Sequence, residues 1–441
     1  MNARIAAAEL LIAVLERGRA LEDALTETES FARLEGRDRA FARALVTAGL
    51  RRLGGVNAVL SRFLERPLPE SAQHARALLH IGATQLLVLG TPPHAAVGET
   101  VEAANALRQA RGFAKLINAV LRRVAREGAE ILESLPPGSD LPAWLYTRWR
   151  AAYGEEATLI AEALHNEPPL DLTVKSDVAE WTGRLDGVVT PTGSVRLLGP
   201  PASRRPAPPF AGEDAGGPRI GIDTFPGFSD GAWWVQDAAA ALPARALGDV
   251  RGKRVLDLCA APGGKTLQFA ASGAHVTAVD KSESRLKRLR ENLARTKLHA
   301  DVICTDALEY RAEPFDAVLL DAPCTSTGTL RRHPDVAWLR RPSDIRALAD
   351  LQAALLQAAA VLLKPGAPLV YAVCSMEPEE GPGVVAAALT QGWRRDPIRN
   401  GEIEGADDFI TPDGDLRTLP SHWPEIGGLD GFYVARLRRI S

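Results

Sequence analysis

Through residues 1–128 the apolar positions recur at helical spacing. Leu10, Leu11, Val14 and Leu15 fall on one face, and Phe41, Leu45, Ala48 and Leu53 follow one another roughly a turn apart. Pro92 and Pro93 stand where a helix begins, and Asn118–Arg126 alternates apolar with basic positions as the run closes. Strand-like alternation is absent, so residues 1–130 are expected to form an all-α bundle. Leu135-Pro136-Pro137-Gly138-Ser139-Asp140 interrupts the pattern. Residues 141–218 then read as a small α/β linker subdomain. Helices are predicted around Trp144–Tyr153 and Glu155–His165, and short strands at Leu170–Val174 and Val195–Leu198. Its Pro/Gly-rich stretch, Pro200–Pro218, is too poor in apolar residues to build a core and reads as a loop.

From residue 219 to 441 the pattern becomes strand, turn, helix, repeated. Buried strands are predicted at Val255–Leu258, Val276–Val279, Asp301–Cys304, Ala317–Leu320 and Leu369–Val373, the last after a helix over Ile345–Leu363. Alternating β and α elements predict a doubly wound parallel sheet, a Rossmann-like α/β fold. Gly392–Arg395 and Phe432–Leu437 are expected as an antiparallel edge hairpin.

Composition narrows the picture. A chain of 441 residues exceeds one compact core, and 46% hydrophobic content is that of a folded soluble protein. A formal charge of −3 gives no hint of a nucleic-acid partner, so any such contact must come from local basic stripes. The cysteines at 259, 304, 324 and 374 form no Cys-x-x-Cys pair, which argues against a structural metal and against a disulfide framework. Glu9 interrupts the first apolar run, and Ala358–Leu363 falls far short of a membrane span. A cytoplasmic protein with no membrane or metal partner is expected.

Candidate chemistry gathers at the strand ends. Asp257-Leu258-Cys259-Ala260-Ala261-Pro262-Gly263-Gly264-Lys265-Thr266 follows the first strand of this region, and its small residues let backbone approach a ligand over a helix N-terminus. Gly264-Lys265-Thr266 resembles the end of a phosphate-cradling loop, but that loop needs glycine where Cys259 stands. Asp280 is placed to bind a ribose hydroxyl pair, and Asp306 is a further carboxylate on the same rim. Each aspartate by itself could equally cap the following helix. Together they point to a shared ligand.

Two more strands run into Asp321-Ala322-Pro323-Cys324 and Tyr371-Ala372-Val373-Cys374-Ser375. If those strands are neighbours, about 4.8 Å apart, both thiols face the crevice outside the carboxyl ends. A single cysteine at such a position is more often a small buried hydrophobe. Two at matching ends, one beside Asp321, favour chemistry. Cys259 and Cys304 lack that context as thiols and read as structural.

These motifs resemble the RNA cytosine-5 methyltransferases of the Nop2/Sun family. The resemblance lies in 257–266, in Asp321–Cys324, in Cys374-Ser375, in Gln236-Asp237 and in Asp430-Gly431-Phe432-Tyr433. The N-terminal helices, with His94-Ala95-Ala96-Val97 and Ile117–Arg122, resemble the NusB RNA-binding fold. That fusion, with Arg331-Arg332-His333-Pro334-Asp335, is similar to the bacterial members that act on 16S ribosomal RNA. The resemblance implies S-adenosylmethionine as cofactor. It would be held by Cys259, Ala260, Ala261, Pro262, Gly263, Gly264, Lys265, Asp280, Asp306 and Asp321. It implies Cys374 as nucleophile and Cys324 as the group for product release.

The cytosine chemistry agrees. A thiolate adding to carbon 6 makes carbon 5 nucleophilic, a second group stabilises ring nitrogen 3, and a third removes the carbon 5 proton. Cys374, Asp321 and Cys324 supply one candidate for each. Val373 departs from the threonine usual before the nucleophile, and Thr325 replaces a common serine. A monomer acting on 16S ribosomal RNA is expected. A transfer-RNA enzyme of the same family and a non-catalytic RNA-binding assembly factor are the alternatives. Basic clusters at 108–126, 285–297 and 331–341 are candidate RNA contacts, the Arg331-Arg332 loop foremost. A solvated face is the default for 285–297. Trp233 and Trp234 are candidates for base stacking or core.

Overall fold

The computed structural model describes residues 2–198 and 222–440, so the Pro/Gly-rich loop expected at 200–218 lies outside the described residues. The described chain divides into two compact units. One holds residues 2–166 with 330–340; the other holds 167–198, 222–329 and 341–440.

The first unit is all helix and turn. Helix Ala3–Leu15 is capped by Asn2, whose side chain accepts Arg4 N at 2.9 Å. It buries Ala6, Ala7, Leu10, Leu11 and Val14, and also Ala3, Ala8, Ile12 and Ala13. A helix apolar nearly all round belongs in the centre of a bundle, and helices Gly36–Arg51 and Gln73–Leu87 pack against it. Leu53 is buried as expected but opens a new helix, Leu53–Phe63, because the preceding one ends at Arg51. Gly82 lets helix Ala114–Glu133 close in: a Cβ there would meet Leu121 Cδ1 at 2.4 Å.

The segment expected as a separate subdomain at 141–218 is shared between the units. Helices Ala143–Tyr153 and Glu156–Ala163 belong to the first. They are fastened by Asp140, which accepts Gly55 N at 3.2 Å and pairs with Arg52 Nε at 2.9 Å and His165 Nε2 at 2.7 Å.

Residues 330–340 also pack within the first unit. Asp335 accepts Leu21 N at 2.9 Å, Trp338 Nε1 donates to Leu50 O at 3.0 Å, and Arg331 O accepts Arg51 Nη2 at 2.9 Å. Arg331 is only 1% exposed. The expectation that its side chain contacts RNA is therefore corrected: burial leaves it no surface to offer.

The second unit carries two sheets. The smaller is antiparallel, in the order β2 (Val188–Val189), β3 (Val195–Leu197), β1 (Leu170–Val174), β4 (Trp233–Val235). Trp233 and Trp234 lie in separate hydrophobic clusters, 0% and 3% exposed, so both serve the core and neither is free to stack on a base. Arg196 and Asp171, both fully buried, form a bidentate pair at 2.6 and 2.7 Å.

The larger sheet contains β5 (Arg254–Leu258), β6 (His275–Asp280), β7 (Asp301–Cys304), β8 (Ala317–Asp321), β9 (Pro368–Val373), β10 (Trp393–Arg395), β11 (Leu416–Thr418) and β12 (Phe432–Arg439). Its order is β10-β12-β9-β8-β5-β6-β7, with β11 also paired to β12. Strands β5 to β9 are parallel, and β12 lies antiparallel to β9. Val255, Leu256 and Leu258 of β5 are all fully buried, as a central parallel strand covered on both faces requires. β10 and β12 do pair antiparallel, but residues 396–431 intervene, so the expected hairpin is a distant pairing at the sheet edge. The helix before β9 runs Pro342–Ala360, three residues earlier than expected. Proline occupies its first turn, and Asp344 accepts Arg341 N at 2.9 Å. Among the described residues, no helix is long and apolar enough to cross a membrane.

Candidate active site

The chain leaves β5 toward β6 and β7 on one side and returns on the other with β8 and β9. That reversal opens a crevice beyond the carboxyl ends of β5 and β8, where sheets of this type bind ligands. The turn 259–263 forms one wall. Cys259 is left-handed, with φ 61°, and Gly263, at φ 106°, caps helix Gly264–Ala271. A Cβ at Gly263 would meet Leu289 Cδ1 at 2.2 Å, so both its conformation and its space demand glycine.

Carboxylates surround this turn. Asp280, at the end of β6, accepts Ala261 N at 3.1 Å and Ser282 N at 2.9 Å, so it shapes the turn as well as facing the rim. Asp306 lies two residues beyond β7 and accepts Leu308 N at 2.9 Å; it opens a turn, and no helix follows it for it to cap. Asp257 lies inside β5. Burial pushes its carboxyl up to about 7, although Thr266 Oγ1 donates to it at 2.5 Å. Its other oxygen is buried without a hydrogen-bond partner.

Lys265 reaches from the helix to Asp321 at the end of β8, with Nζ 2.7 Å from the carboxylate and 5.4 Å from the Phe432 ring. Burial by itself depresses the ammonium, but attraction to Asp321 outweighs it and leaves Lys265 raised. The pair sets a fixed charge and a fixed donor beside the thiols.

Both thiols arrive as the two matching strand ends predict. β8 and β9 are neighbours, in register through Asp321 and Ala372. Cys324 Sγ and Cys374 Sγ lie 3.4 Å apart, the former buried and the latter half-buried. Hydrogen bonding from Cys324 holds Cys374 below the ordinary thiol range, and the same bond, with burial, pushes Cys324 well above it. Cys374 is therefore the more readily ionised of the two thiols. The Cys374 loop is tied by backbone: Gly328 N donates to Cys374 O at 3.0 Å, and Gly431 N to Gly328 O at 2.8 Å. A Cβ on Gly328 would lie 2.0 Å from Gly431 O, so the Asp430–Tyr433 motif serves to hold this loop.

The remaining cysteines behave differently. Burial pushes the Cys259 thiol up to about 12, consistent with an inert sulfur. Cys304, read from the sequence as structural, is exposed at the end of β7, because that strand lies at the sheet edge.

Three features of the site had no signal in the sequence pattern. Arg285, in the helix read as solvated, donates to Ala261 O and sits 3.5 Å from Asp280. Gln352 donates to Pro323 O at 2.8 Å. Glu380, fully buried, joins both cysteine loops. Arg285 is 24 residues from Ala261 and Gln352 is 29 from Pro323, and no short-range motif connects such pairs.

Fold and site together define a Rossmann-like α/β methyltransferase preceded by a NusB-type helical domain. Residues 244–438 match the family model described as 16S rRNA methyltransferase RsmB/F, and residues 1–126 match the NusB family. The "Ribosomal RNA small subunit methyltransferase B" of Cronobacter sakazakii is 36% identical, over 99% of this chain and 98% of its own. The Vibrio vulnificus protein of the same name is 39% identical, over 89% of this chain and 91% of its own. The crystal structure of PH0851 shares the fold with a TM-score of 0.72 at 21% identity, covering 100% of this chain and 99% of that one. A methyltransferase homolog protein from Pyrococcus horikoshii aligns with a TM-score of 0.52 at 26% identity, over 67% of this chain and 94% of its own. The chain belongs to the RsmB/F family of methyltransferases.

Proposed function

We propose that this enzyme methylates carbon 5 of a cytosine in 16S ribosomal RNA, drawing the methyl group from S-adenosylmethionine. The observation that carries the reading is the pair of thiols 3.4 Å apart beside the Lys265–Asp321 ion pair. The ribosomal target is supported by the names of the relatives, and an RNA-binding role for the first unit by its NusB match.

The crevice fits the cofactor on its own chemistry. The turn Cys259-Ala260-Ala261-Pro262-Gly263 with Gly264 brings backbone to the ligand, and Gly263 has no room for a side chain. Asp280 and Asp306 offer acceptors to ribose hydroxyls, while Lys265 and Asp321 close the other side of the site. When bound, the cofactor supplies an electrophilic methyl group.

The protein's residues supply the rest. Cys374 thiolate forms an Sγ–C6 bond, and the ring's electron density moves to carbon 5 and toward nitrogen 3, where the charge is steadied by the Lys265 ammonium that Asp321 holds in place. Carbon 5 then takes the methyl group. Cys324, once its own proton has passed to solvent, takes the carbon 5 proton as a thiolate; the electron pair restores the C5–C6 double bond, and the Sγ–C6 bond breaks to return Cys374 as a thiolate. Valine at 373 carries no hydroxyl, so none from that position enters the scheme. Bisulfite mapping of small-subunit RNA from cells with and without the gene tests the reading. A cytosine protected only when the gene is present supports it; identical maps overturn it.

A further inference from the structure

The two cysteine loops leave adjacent strands, and the last ladder bond between those strands, Ala322 N to Ala372 O at 2.9 Å, lies before either thiol. Beyond it the loops are joined by Gly328 N to Cys374 O at 3.0 Å and by Met376 N to Thr327 Oγ1 at 3.0 Å, and a further set of bonds meets on one fully buried carboxylate, Glu380. Thr325, next to Cys324, donates its backbone N–H to Glu380 Oε1 at 2.9 Å and its hydroxyl to Oε2. Ser375, next to Cys374, donates its hydroxyl to the same Oε2 at 2.5 Å. Gln352 Nε2 donates to Oε1 at 3.0 Å and to Pro323 O at 2.8 Å. Tyr371 OH donates to the Glu380 carbonyl, which fixes the backbone that carries the carboxylate.

We infer that Glu380 is a positioning residue that sets the distance between the two thiols by binding the residue after each of them. A buried carboxylate is costly unless its lone pairs are filled, and here four donors fill them, two from the Cys324 loop, one from the Cys374 loop and one from a helix. The loops cannot separate without breaking those bonds. Threonine at 325 keeps the hydroxyl of the common serine, and so keeps the bond.

This inference rests on the reading of Cys374 and Cys324 as the reacting pair, so its test must not depend on methyl transfer alone. Diamide takes up the hydrogens of two adjacent thiols as an S–S bond forms between them. In the full-length protein, the rate of Cys324–Cys374 cross-linking, followed by mass spectrometry, therefore reports the separation directly. Glu380→Ala should slow it by at least about tenfold and reduce kcat on RNA by on the order of a hundredfold, the scale of an ångström's misplacement. Affinity for S-adenosylmethionine should be unchanged, and so should alkylation of the exposed Cys304.

Glu380→Gln keeps an oxygen for Thr325 N and Gln352, and turns its NH2 toward hydroxyls that can rotate to accept. It should cross-link within about threefold of the parent. Equal cross-linking in Glu380→Ala and the parent overturns the inference. So does Glu380→Gln as slow as Glu380→Ala, which would place the requirement in the charge. If Glu380→Ala fails to fold, Thr325→Val and Ser375→Ala, each lacking one hydroxyl, carry the same test: each should slow cross-linking, and parental rates in both would overturn the proposal. Should Glu380 govern cross-linking while Cys324→Ala never traps RNA, the positioning stands and the reaction scheme is what fails.

Discussion

Cys324 Sγ and Cys374 Sγ share a hydrogen bond at 3.4 Å, which lowers the pKa of Cys374 and raises that of Cys324. The two sulfurs are thereby made unequal before any substrate arrives. The proposed reaction uses them at opposite ends, so their variants should differ in kind. Cys374→Ala should neither methylate RNA nor cross-link to it. Cys324→Ala should attack and transfer but fail to release, leaving a cofactor-dependent protein–RNA complex that survives denaturing electrophoresis. A complex from Cys374→Ala instead would reverse the roles, and turnover by both variants would end the scheme.

The same bond makes a pH prediction. A donor to the thiolate stabilises its charged form, so Cys374 should be alkylated with an inflection below the ordinary thiol range. Removing the donor in Cys324→Ala takes that stabilisation away, and the inflection should move to higher pH. Peptide mass spectrometry of iodoacetamide-treated protein across pH 6 to 10 reads both. An unmoved inflection would show that the Cys324 bond does not set the Cys374 pKa.

Asp280 holds the turn and faces the cofactor rim. Asp280→Ala should weaken S-adenosylmethionine binding by about 1–3 kcal/mol, the scale of hydrogen bonds to a charged group. Calorimetry on a variant shown to be folded measures this, and parental affinity would remove Asp280 from the site.

Asp257 gives a stability prediction with a definite sign. Its folded pKa, about 7, lies above the unfolded carboxylate value of 3.8, so the folded state binds more protons between these limits. The group therefore favours folding fully below the unfolded value, and this contribution fades as pH rises toward the folded one, by about 4 kcal/mol in all. Asp257→Asn, which cannot ionise, should lose stability over pH 4 to 7 less steeply than the parent. Parallel urea-denaturation profiles for the two proteins would contradict it.

Lys115, Arg122 and Arg126 are exposed on helix Ala114–Glu133 of the NusB-type unit. Replacing all three by alanine should leave cofactor binding intact and weaken RNA binding. The log–log salt slope should fall by about 0.7–0.9 for each phosphate that these side chains no longer neutralise. Equal slopes in a filter-binding titration would move the RNA surface elsewhere.

Much of this molecule is local, and the local part could be read from the chain. Helical periodicity in residues 1–128 and buried strands such as Val255–Leu258 arise from spacing that neighbours in sequence already satisfy; Asp301–Cys304 forms the expected strand but has no buried residue, because it lies at the sheet edge. The motifs at 257–266, 321–324 and 374–375 placed the candidate site because strand ends in such a sheet share one rim. Burial and long-range partnership needed the tertiary structure. Arg331 looked like an RNA-facing cation and is buried beside Arg51; Leu53 continued a helical stripe but opens the next helix. Cys304 looked structural and is exposed, since only the strand order puts β7 at an edge. Glu380 follows Cys374 by six residues with nothing around it to distinguish it from a surface carboxylate. Its role exists only once folding brings Thr325, Gln352 and Ser375 around it, because a hydrogen bond depends on distance in space, and separation along the chain does not report that distance.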